Sequence, residues 1–254
     1  MRRPLAPFLF FLALGGCARE EPTRVSQKVF AEGTFTYEVY SNRSLFEARV
    51  RVLATRTVDF DDIATSGPAA ASFDAERYAT RGVVISGEKG QYAHPDFGWP
   101  GEIVPTSPPN AYAPGPREYE GGNGSGNETT VTFVSEHRTA RTAAFGATFL
   151  DADPNNWAYG WSSIVFHDVA NDPSTSTHVK IGGKNASQAF AGLIVFGEDG
   201  APSARISKVV LANGDGWPGL GNEQTMEGNA VSGQESAAID DLLFAPPVPV
   251  DSLP

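Results

Sequence analysis

The chain has 254 residues and a mass of 27.0 kDa, which is room for one large domain or two small ones. Hydrophobic residues make up 41% of the sequence, enough for a sizeable core, which argues against a wholly disordered or fibrous protein. The formal net charge of −11 would repel nucleic acid at long range, so neither DNA nor RNA is expected as a partner.

The residue types favour β structure over helices. The sequence has 27 glycines, 19 prolines and an aromatic content of 11%, against two methionines, which is typical of short strands joined by turns. Its single cysteine excludes an internal disulfide.

The first 17 residues have the pattern of an export signal. Arg2 and Arg3 precede an apolar stretch at 5–14 that is too short to span a bilayer as a stable helix, and small residues follow it. The sequence LGGC at 14–17 resembles a bacterial lipobox. The resemblance implies that the signal peptide, 1–16, is removed and that the thiol of Cys17 carries a diacylglyceryl group.

A lipid on Cys17 would hold the mature chain at a membrane, because each buried methylene contributes about 0.8 kcal/mol. Ala18, which follows the cysteine, resembles an outer-membrane sorting signal. We therefore expect a lipid-anchored protein of the outer membrane. The alternative is an ordinary secretory signal followed by a free thiol.

Two short segments precede the main β pattern. Residues 17–27 are polar and lack periodicity, which predicts a flexible tether. Alternating apolar residues over 28–56, interrupted by the turn-like SNRS at 41–44, predict an N-terminal β-hairpin. The alternative for the second half of this segment is a helix that starts at Ser44, with Glu47 as its capping-box partner.

The segment 57–245 contains short β-rich runs separated by Gly, Pro, Asn and Asp clusters, with almost no helical periodicity. These runs are 81–86, 129–134, 142–150, 162–169, 177–182, 190–196, 204–212 and 237–244. The pattern predicts an all-β fold, an antiparallel β-sandwich of the jelly-roll type. The proline-rich tail, 246–254, is expected to leave the sheet as an extended end.

Six phrases of this segment resemble, in their order, a β-sandwich domain common in exported bacterial proteins, many of which carry a PEP-CTERM sorting signal. The phrases are TVDFDD (57–62), ERYATRGVVISG (76–87), TSPPNAYAPG (106–115), AAFGATFLDAD (143–153), FAGLIVF (190–196) and AAIDDLLF (237–244). That family resembles carbohydrate-binding modules, so the resemblance implies a binding domain without enzymatic machinery. The tail of this chain lacks a PEP motif, and a lipid at Cys17 would replace that sorting device.

Carboxylates occur near both ends of the predicted sandwich. Because the first and last strands of a jelly roll commonly pair, we expect Asp61 and Asp62 to meet Asp240 and Asp241. Such a group repels itself unless a cation joins it, and Ca²⁺, with about six to eight oxygen ligands, is the usual cation outside the cell. We therefore expect these four residues to hold a structural calcium ion, with Asp62 and Asp240 as leading ligands. The alternative is a polar edge that discourages aggregation.

A second group of residues points to a ligand. Trp157 and Tyr159 lie in a polar segment beside Asn155. Indole and phenol rings can stack on the flat faces of sugars while an amide binds their hydroxyls, so these three residues predict a carbohydrate ligand. The alternative is that the rings cap the end of the core.

The sequence has no zinc-protease spacing, no cysteine–histidine metal motif and no serine nucleophile elbow. We therefore expect a non-enzymatic binding module, with polysaccharide as its ligand. The alternatives are a polysaccharide hydrolase or lyase on the same scaffold and a passive structural protein of the envelope.

Overall fold

The structure is a computed structural model that describes residues 22–66, 71–87, 90–94, 105–114, 128–150, 162–168, 176–181, 188–213 and 237–252. Within these ranges most residues lie in strands, and the strands form two antiparallel sheets. The prediction of an all-β antiparallel sandwich is therefore confirmed.

The strands follow in chain order. They are β1 (Arg24–Phe30), β2 (Gly33–Tyr40), β3 (Arg56–Val58), β4 (Ala71–Ser72), β5 (Val83–Gly87), β6 (Gln91–His94), β7 (Ala111–Pro114), β8 (Glu128–Ser135), β9 (Arg138–Arg141), β10 (Ala144–Leu150), β11 (Ser162–Asp168), β12 (Thr177–Lys180), β13 (Gln188–Phe196), β14 (Ile206–Asn213), β15 (Ala238–Phe244) and β16 (Val248–Pro249). An α-helix, α1, spans Arg43–Val50, and 3₁₀ turns cover Arg51–Leu53, Ala79–Arg81 and Val250–Ser252. Each of the eight predicted β-rich runs contains most of one observed strand.

The described part of the larger sheet has nine strands in the order β1-β2-β13-β10-β15-β7-β6-β4, with β3 paired to β15. The second sheet, within the same limits, runs β12-β11-β14-β8-β9-β16, with β5 paired to β8. The core lies between the sheets, where side chains such as Phe149 of β10 and Val131 of β8 have no exposed surface. Burying each such side chain contributes about 1.5–3 kcal/mol, so the facing apolar rows hold the two layers together.

The prediction of a strand over the second half of 28–56 is wrong. This part is helical, as in the alternative, but the helix begins at Arg43 and not at Ser44, and Glu47 pairs with Arg43 and does not form a capping box. Asn42 is extended, and its side-chain oxygen accepts a hydrogen bond from the amide of Leu45 at 3.2 Å, which caps helix α1. Phe46 and Val50, four residues apart, are buried on one helix face, whereas Val52 is 85% exposed. The Asn42 cap and the four-residue spacing of buried apolar side chains therefore favour a helix, although apolar residues also alternate along this segment.

Helix α1 packs closely on the outer face of the larger sheet. Gly146 of β10 and Gly192 of β13 are directly opposite each other in the sheet. A β-carbon at Gly192 would lie 2.6 Å from a ring carbon of Phe46, and one at Gly146 would lie 2.5 Å from the ring of Phe190. The two glycines provide the space in which these rings pack.

Two predicted boundaries are also wrong. β1 begins at Arg24, inside the predicted tether 17–27, and β2 pairs with β13, so the N-terminal hairpin belongs to the larger sheet. The predicted free tail 246–254 instead contains β16, in which Val248 lies opposite Arg141 of β9. In both cases backbone pairing with a strand distant in sequence orders a segment whose composition alone indicates a mobile end.

A buried ion pair joins the hairpin to the second sheet. Arg205 donates from Nη2 to Asp168 at 2.9 Å and from Nε at 3.1 Å, and Tyr37 also donates to this carboxylate. The guanidinium lies over the rings of both Phe30 and Phe35, at 4.1 and 4.0 Å from their centroids. This cluster fixes the position of β1 and β2 against β11.

Candidate functional site

The two ends of the predicted sandwich segment, 57–245, meet as expected. β3 runs antiparallel to β15, with Val58 opposite Leu242. Asp61 follows β3, and its Oδ1 accepts a hydrogen bond from the amide of Asn110 at 3.0 Å. Burial raises the pKa of Asp61, and the charges of Asp59 and Asp241 add to this rise. Asp61 and Asp241 are therefore close enough to repel each other.

Asp240 is the most deeply buried of the predicted ligands, with 0% of its surface exposed. Its carboxylate accepts hydrogen bonds from the amide of Ser107 at 2.9 Å, from the Ser107 hydroxyl at 3.2 Å and from the amide of Asp241 at 2.8 Å. Burial raises the pKa of Asp240 to about 7, and the neighbouring charge of Asp241 adds to the effect. All three contacts come from neutral donors.

Asp241 lies at an irregularity of β15. Its φ of 49° is in the left-handed region, and the pairing of β10 with β15 shifts register between Gly146 and Thr148. The bulge directs its carboxylate toward helix α1, where Arg43 forms an ion pair with it, and toward the hydroxyl of Ser107 at 3.0 Å. The positive partner of the acidic pair is thus an arginine, which the sequence analysis did not anticipate.

Asp62, predicted as a leading ligand, binds other partners. It accepts a hydrogen bond from the Tyr78 hydroxyl at 2.7 Å and forms ion pairs with Arg77 at 3.3 Å and Arg81 at 3.7 Å. The structure therefore brings Asp61, Asp240 and Asp241 together and places the carboxylate of Asp62 in a separate basic and aromatic cluster.

The described ranges contain no group of three or more His, Cys, Asp or Glu side chains arranged to hold a metal ion. A calcium ion at this corner would depend on Asp240 and Asp241 together with hydroxyl and carbonyl oxygens. Thr106 precedes Ser107 in the chain, and its Oγ1 atom is buried and has no hydrogen-bond partner among the described residues.

A cavity of about 580 Å³ lies where β2 ends and β13 continues. Residues Gly192 to Phe196 of β13 pair with β2, which stops at Tyr40 opposite Gly192. The preceding residues 188–191 extend past the end of β2 and line the cavity. We call this cavity the β13 notch. Its lining includes Asn42, Arg43, Thr148, Lys180, Gln188 and Phe190.

The β13 notch combines cations, hydroxyls and apolar surface. The described residues that line it include two cations, Arg43 and Lys180, and no carboxylate. Thr148, on β10, is 3% exposed, and its hydroxyl has no hydrogen-bond partner in the described part of the chain. The first turn of α1, which has no acidic residue, also borders the space. The described lining thus has no acid of its own, but Arg43 is paired with Glu47 and Asp241, which lie outside the lining.

A smaller cavity of about 370 Å³ lies near the tip of the hairpin, and its charged side chains are mutually engaged. Arg49 stacks over the ring of Phe196 at 4.3 Å and donates to Glu38 at 3.2 Å. Glu198 accepts a hydrogen bond from the amide of Thr34 at 2.7 Å. These groups serve the packing of the hairpin, so the β13 notch is the stronger candidate site.

The predicted lipidation site Cys17 and the predicted carbohydrate ligands Trp157, Tyr159 and Asn155 lie outside the described residues. The strand residues that flank 151–161 are described. Leu150 is opposite Gln188, and the carbonyl of Ser162 accepts a hydrogen bond from the amide of Ile181 at 2.9 Å. Gln188 and Ile181 both line the β13 notch, so the described residues on either side of 151–161 lie beside this cavity.

The sequence analysis missed several residues of these two sites, among them Arg43, Ser107, Thr148 and Lys180. Ser107 lies in the TSPPNAY phrase, and Arg43 follows the capping asparagine, so both had local signals. Thr148 and Lys180 lie in ordinary strand sequences, and only the assembled sheets bring them to the same cavity.

Comparisons with family models, with curated proteins and with solved structures find no match to this chain. Among the described residues, no helix has the length and hydrophobicity needed to cross a membrane.

Proposed function

We propose that this protein is a non-enzymatic carbohydrate-binding module, held at the outer membrane by a lipid on Cys17. The observation that carries the proposal is the β13 notch. It offers the ring of Phe190, the amides of Asn42 and Gln188, and the hydroxyl of Thr148 in one cavity. Sugars present both apolar faces and hydroxyls, so such a mixture suits a saccharide unit.

The composition of the notch favours binding over hydrolysis. Glycoside hydrolysis generally requires two carboxyl groups that flank the bond to be broken. The described lining of the notch contains none, and the nearby carboxylate of Asp241 is bound to Arg43. A polysaccharide hydrolase or lyase, the runner-up, would need acids other than the described residues that line the notch.

The proposal is tested by retention of the mature chain on immobilised polysaccharides, with Cys17→Ser used to keep it soluble. Wild-type binding that is weakened by Gln188→Ala and by Trp157→Ala would support it. Arg51→Gln is the matched control, because Arg51 is exposed and lies outside the notch lining. No retention on any polysaccharide would leave only a structural role, and release of shortened products would favour the enzyme.

The proposed anchor rests on the lipobox resemblance and is tested separately. Mass spectrometry of the mature protein should show acyl groups on Cys17, and Cys17→Ser should abolish both the added mass and membrane association. An acyl mass that persists in the variant would refute the anchor.

We also propose that calcium binds Asp240 and Asp241 together with neighbouring hydroxyl and carbonyl oxygens. What supports this is that Asp240 is buried with only neutral donors, and that Thr106, the residue before Ser107, has a buried hydroxyl without a partner among the described residues. A ligand that binds only the folded state raises the melting temperature. The melting temperature should therefore rise in calcium and fall in chelator, and Asp240→Asn should remove the difference. An unchanged midpoint at saturating calcium would overturn the proposal.

A further inference from the structure

We propose that this protein forms a symmetric dimer in which the β1 strands of two copies pair antiparallel about Gln27, so that the two larger sheets become one continuous sheet. The dimer is independent of the ligand of the β13 notch. Three observations support it: the length of this edge strand, the direction of its backbone groups, and the exposure of Val25 and Val29.

Strand β1 differs from the other strands at the ends of the described sheets. β4, at the far end of the same sheet, has two residues, and β16, at one end of the second sheet, has two and includes Pro249. β12, at the other end of the second sheet, has four. β1 has seven residues without a proline, and it pairs with β2 without a register shift. Short or proline-containing edges discourage pairing with another chain, and β1 has neither protection.

The pairing of the hairpin shows which residues of β1 direct their backbone groups away from β2. Phe30 and Gly33 are paired across a turn of two residues, and such a closing pair exchanges both backbone hydrogen bonds. Bonded residues alternate along an antiparallel strand, so every second residue of β1 directs its N–H and C=O toward the open edge. These residues are Val25, Gln27 and Val29. Within the described ranges no strand pairs with this edge.

The side chains of the same residues lie on the outer face of the sheet. Val29 is 79% exposed and Val25 is 54% exposed, which makes them two of the three exposed large hydrophobic residues in the described part of the chain. The positions opposite them on β2 are Thr34 and Glu38, both polar. Packing within the hairpin therefore does not account for the two valines, whereas a strand added at this edge would cover them.

One register of two β1 strands satisfies all of these groups. Pairing about Gln27 places this residue opposite itself, and it places Val25 opposite Val29 of the second copy. The outward-directed residues then form hydrogen-bonded pairs along the strand, and the valines form cross-strand apolar contacts. Both copies contribute the same surface, as a two-fold axis requires.

The charges of β1 favour this register over its neighbours. Pairing about Gln27 places Lys28 opposite Ser26 and Arg24 opposite Phe30, so no like charges are directly opposite each other. Pairing about Ser26 would place Arg24 opposite Lys28, and pairing about Lys28 would place this residue opposite itself. Like charges in directly opposite positions destabilise a strand pair.

A second copy of this chain suits the edge better than an acidic peptide does. The cations of β1 already have partners: Lys28 donates to Thr177 at 2.9 Å and lies over the ring of Tyr37 at 4.4 Å, and Arg24 donates to the carbonyl of His178 at 3.4 Å. The edge thus offers backbone groups and apolar side chains. A strand with valines at matching positions complements it, and β1 is such a strand.

The dimer is tested by sedimentation velocity of the soluble mature chain over a concentration series. Cys17→Ser is used throughout, because it also excludes a disulfide between copies. The mass should double as concentration rises. Val25→Lys combined with Val29→Lys should weaken association at least tenfold, because lysines are then directly opposite each other. Val25→Lys combined with Val29→Glu places opposite charges together and should still dimerise.

Val52→Lys is the matched control, because Val52 is 85% exposed and lies outside the hairpin. It should dimerise as the wild type does. All three valines are exposed, so none of these changes should unfold the chain, and circular dichroism checks this.

Disulfide cross-linking tests the register. Gln27→Cys should give a linked dimer on mild oxidation, because α-carbons of a hydrogen-bonded pair are about 5.5 Å apart, within reach of a disulfide. Val25→Cys alone should not, since its two thiols would be four strand positions, or about 13 Å, apart along the strand. A mixture of Val25→Cys with Val29→Cys chains should link.

Each outcome decides for or against the dimer. A chain that stays monomeric at every concentration would overturn it. A dimer that tolerates the double lysine variant, or Val25→Cys that links alone as readily as Gln27→Cys, would show another interface or register and would also overturn it. A monomer that still binds polysaccharide would leave the proposed function intact.

Discussion

Asp240 is a buried carboxyl group whose proton links stability to pH. Its pKa in the folded state is raised to about 7 by burial and by Asp241, compared with about 3.9 in an unfolded chain. Between these values the folded state binds the proton more strongly, so the free energy of unfolding falls as pH rises through this range. Above about pH 7 proton binding to Asp240 no longer stabilises the folded state.

We predict that Asp240→Asn removes this part of the pH dependence. The free energy of unfolding of the variant, relative to wild type, should rise by up to about 1.4 kcal/mol per pH unit between pH 5 and pH 7. Urea unfolding of both proteins in chelator at several pH values measures the difference without competition from calcium. A difference that stays constant with pH would contradict the assignment of this titration to Asp240.

Substitution of Arg205 tests the buried ion pair that this residue forms with Asp168. Arg205→Met should lower the free energy of unfolding by about 3–5 kcal/mol, because it leaves the buried carboxylate of Asp168 without its main cation. Adding Asp168→Asn should restore much of this loss, since the unpaired charge is then gone. A double variant as unstable as the single one would show that ring packing with Phe30 and Phe35, and not charge, dominates.

Sequence reasoning reached part of the acidic corner. We expected the first and last strands to pair and so to place Asp61 near Asp240 and Asp241. The pairing of β3 with β15 is observed. Asp62 could not be assigned in this way, because its position depends on Tyr78, Arg77 and Arg81 in an intervening turn. Asp62 was expected to be a leading ligand, but the side-chain packing of this turn gives its carboxylate other partners.

At the level of elements, strands were predictable where apolar residues are β-branched or aromatic and turns are rich in glycine, proline and asparagine. Helix α1 was only an alternative, because eight residues with Phe46 and Val50 fit either period when Ala48 is also apolar. Two contacts make this segment helical: the Asn42 cap and the packing on the apolar patch of β10 and β13 beneath the helix. The second involves strands distant in sequence, so it could not be predicted from the segment itself.

The close approach of helix and sheet gives a prediction for Gly192. Gly192→Ala should lower the free energy of unfolding by about 1–3 kcal/mol, because its β-carbon would lie 2.6 Å from the buried ring of Phe46. Gly197→Ala, in which the nearest atom is the Asp199 carboxylate oxygen at 3.1 Å, is the control and should be less harmful. Chemical denaturation compares them. Equal losses would show that the helix is not held against the sheet at Gly192.

At the scale of the whole molecule, the sequence predicts a β-sandwich but not the order of the strands in its sheets. The eight strands predicted in 57–245 follow from local pattern, whereas the position of the hairpin beside β13 depends on pairing across more than half the sequence. The β13 notch arises from the different lengths of β2 and β13 and from their register. Because no local signal fixes that register, the notch could not be predicted before the sheets were assembled.

The proposed function places a saccharide at the β13 notch. Hydrogen exchange of the soluble mature chain, with and without an oligosaccharide of a polysaccharide that retains it, tests this claim most directly. We predict slower exchange at 188–191 and in the first turn of α1, with β5 and β8 unchanged. Protection confined to other strands, or no protection at saturating ligand, would contradict the account.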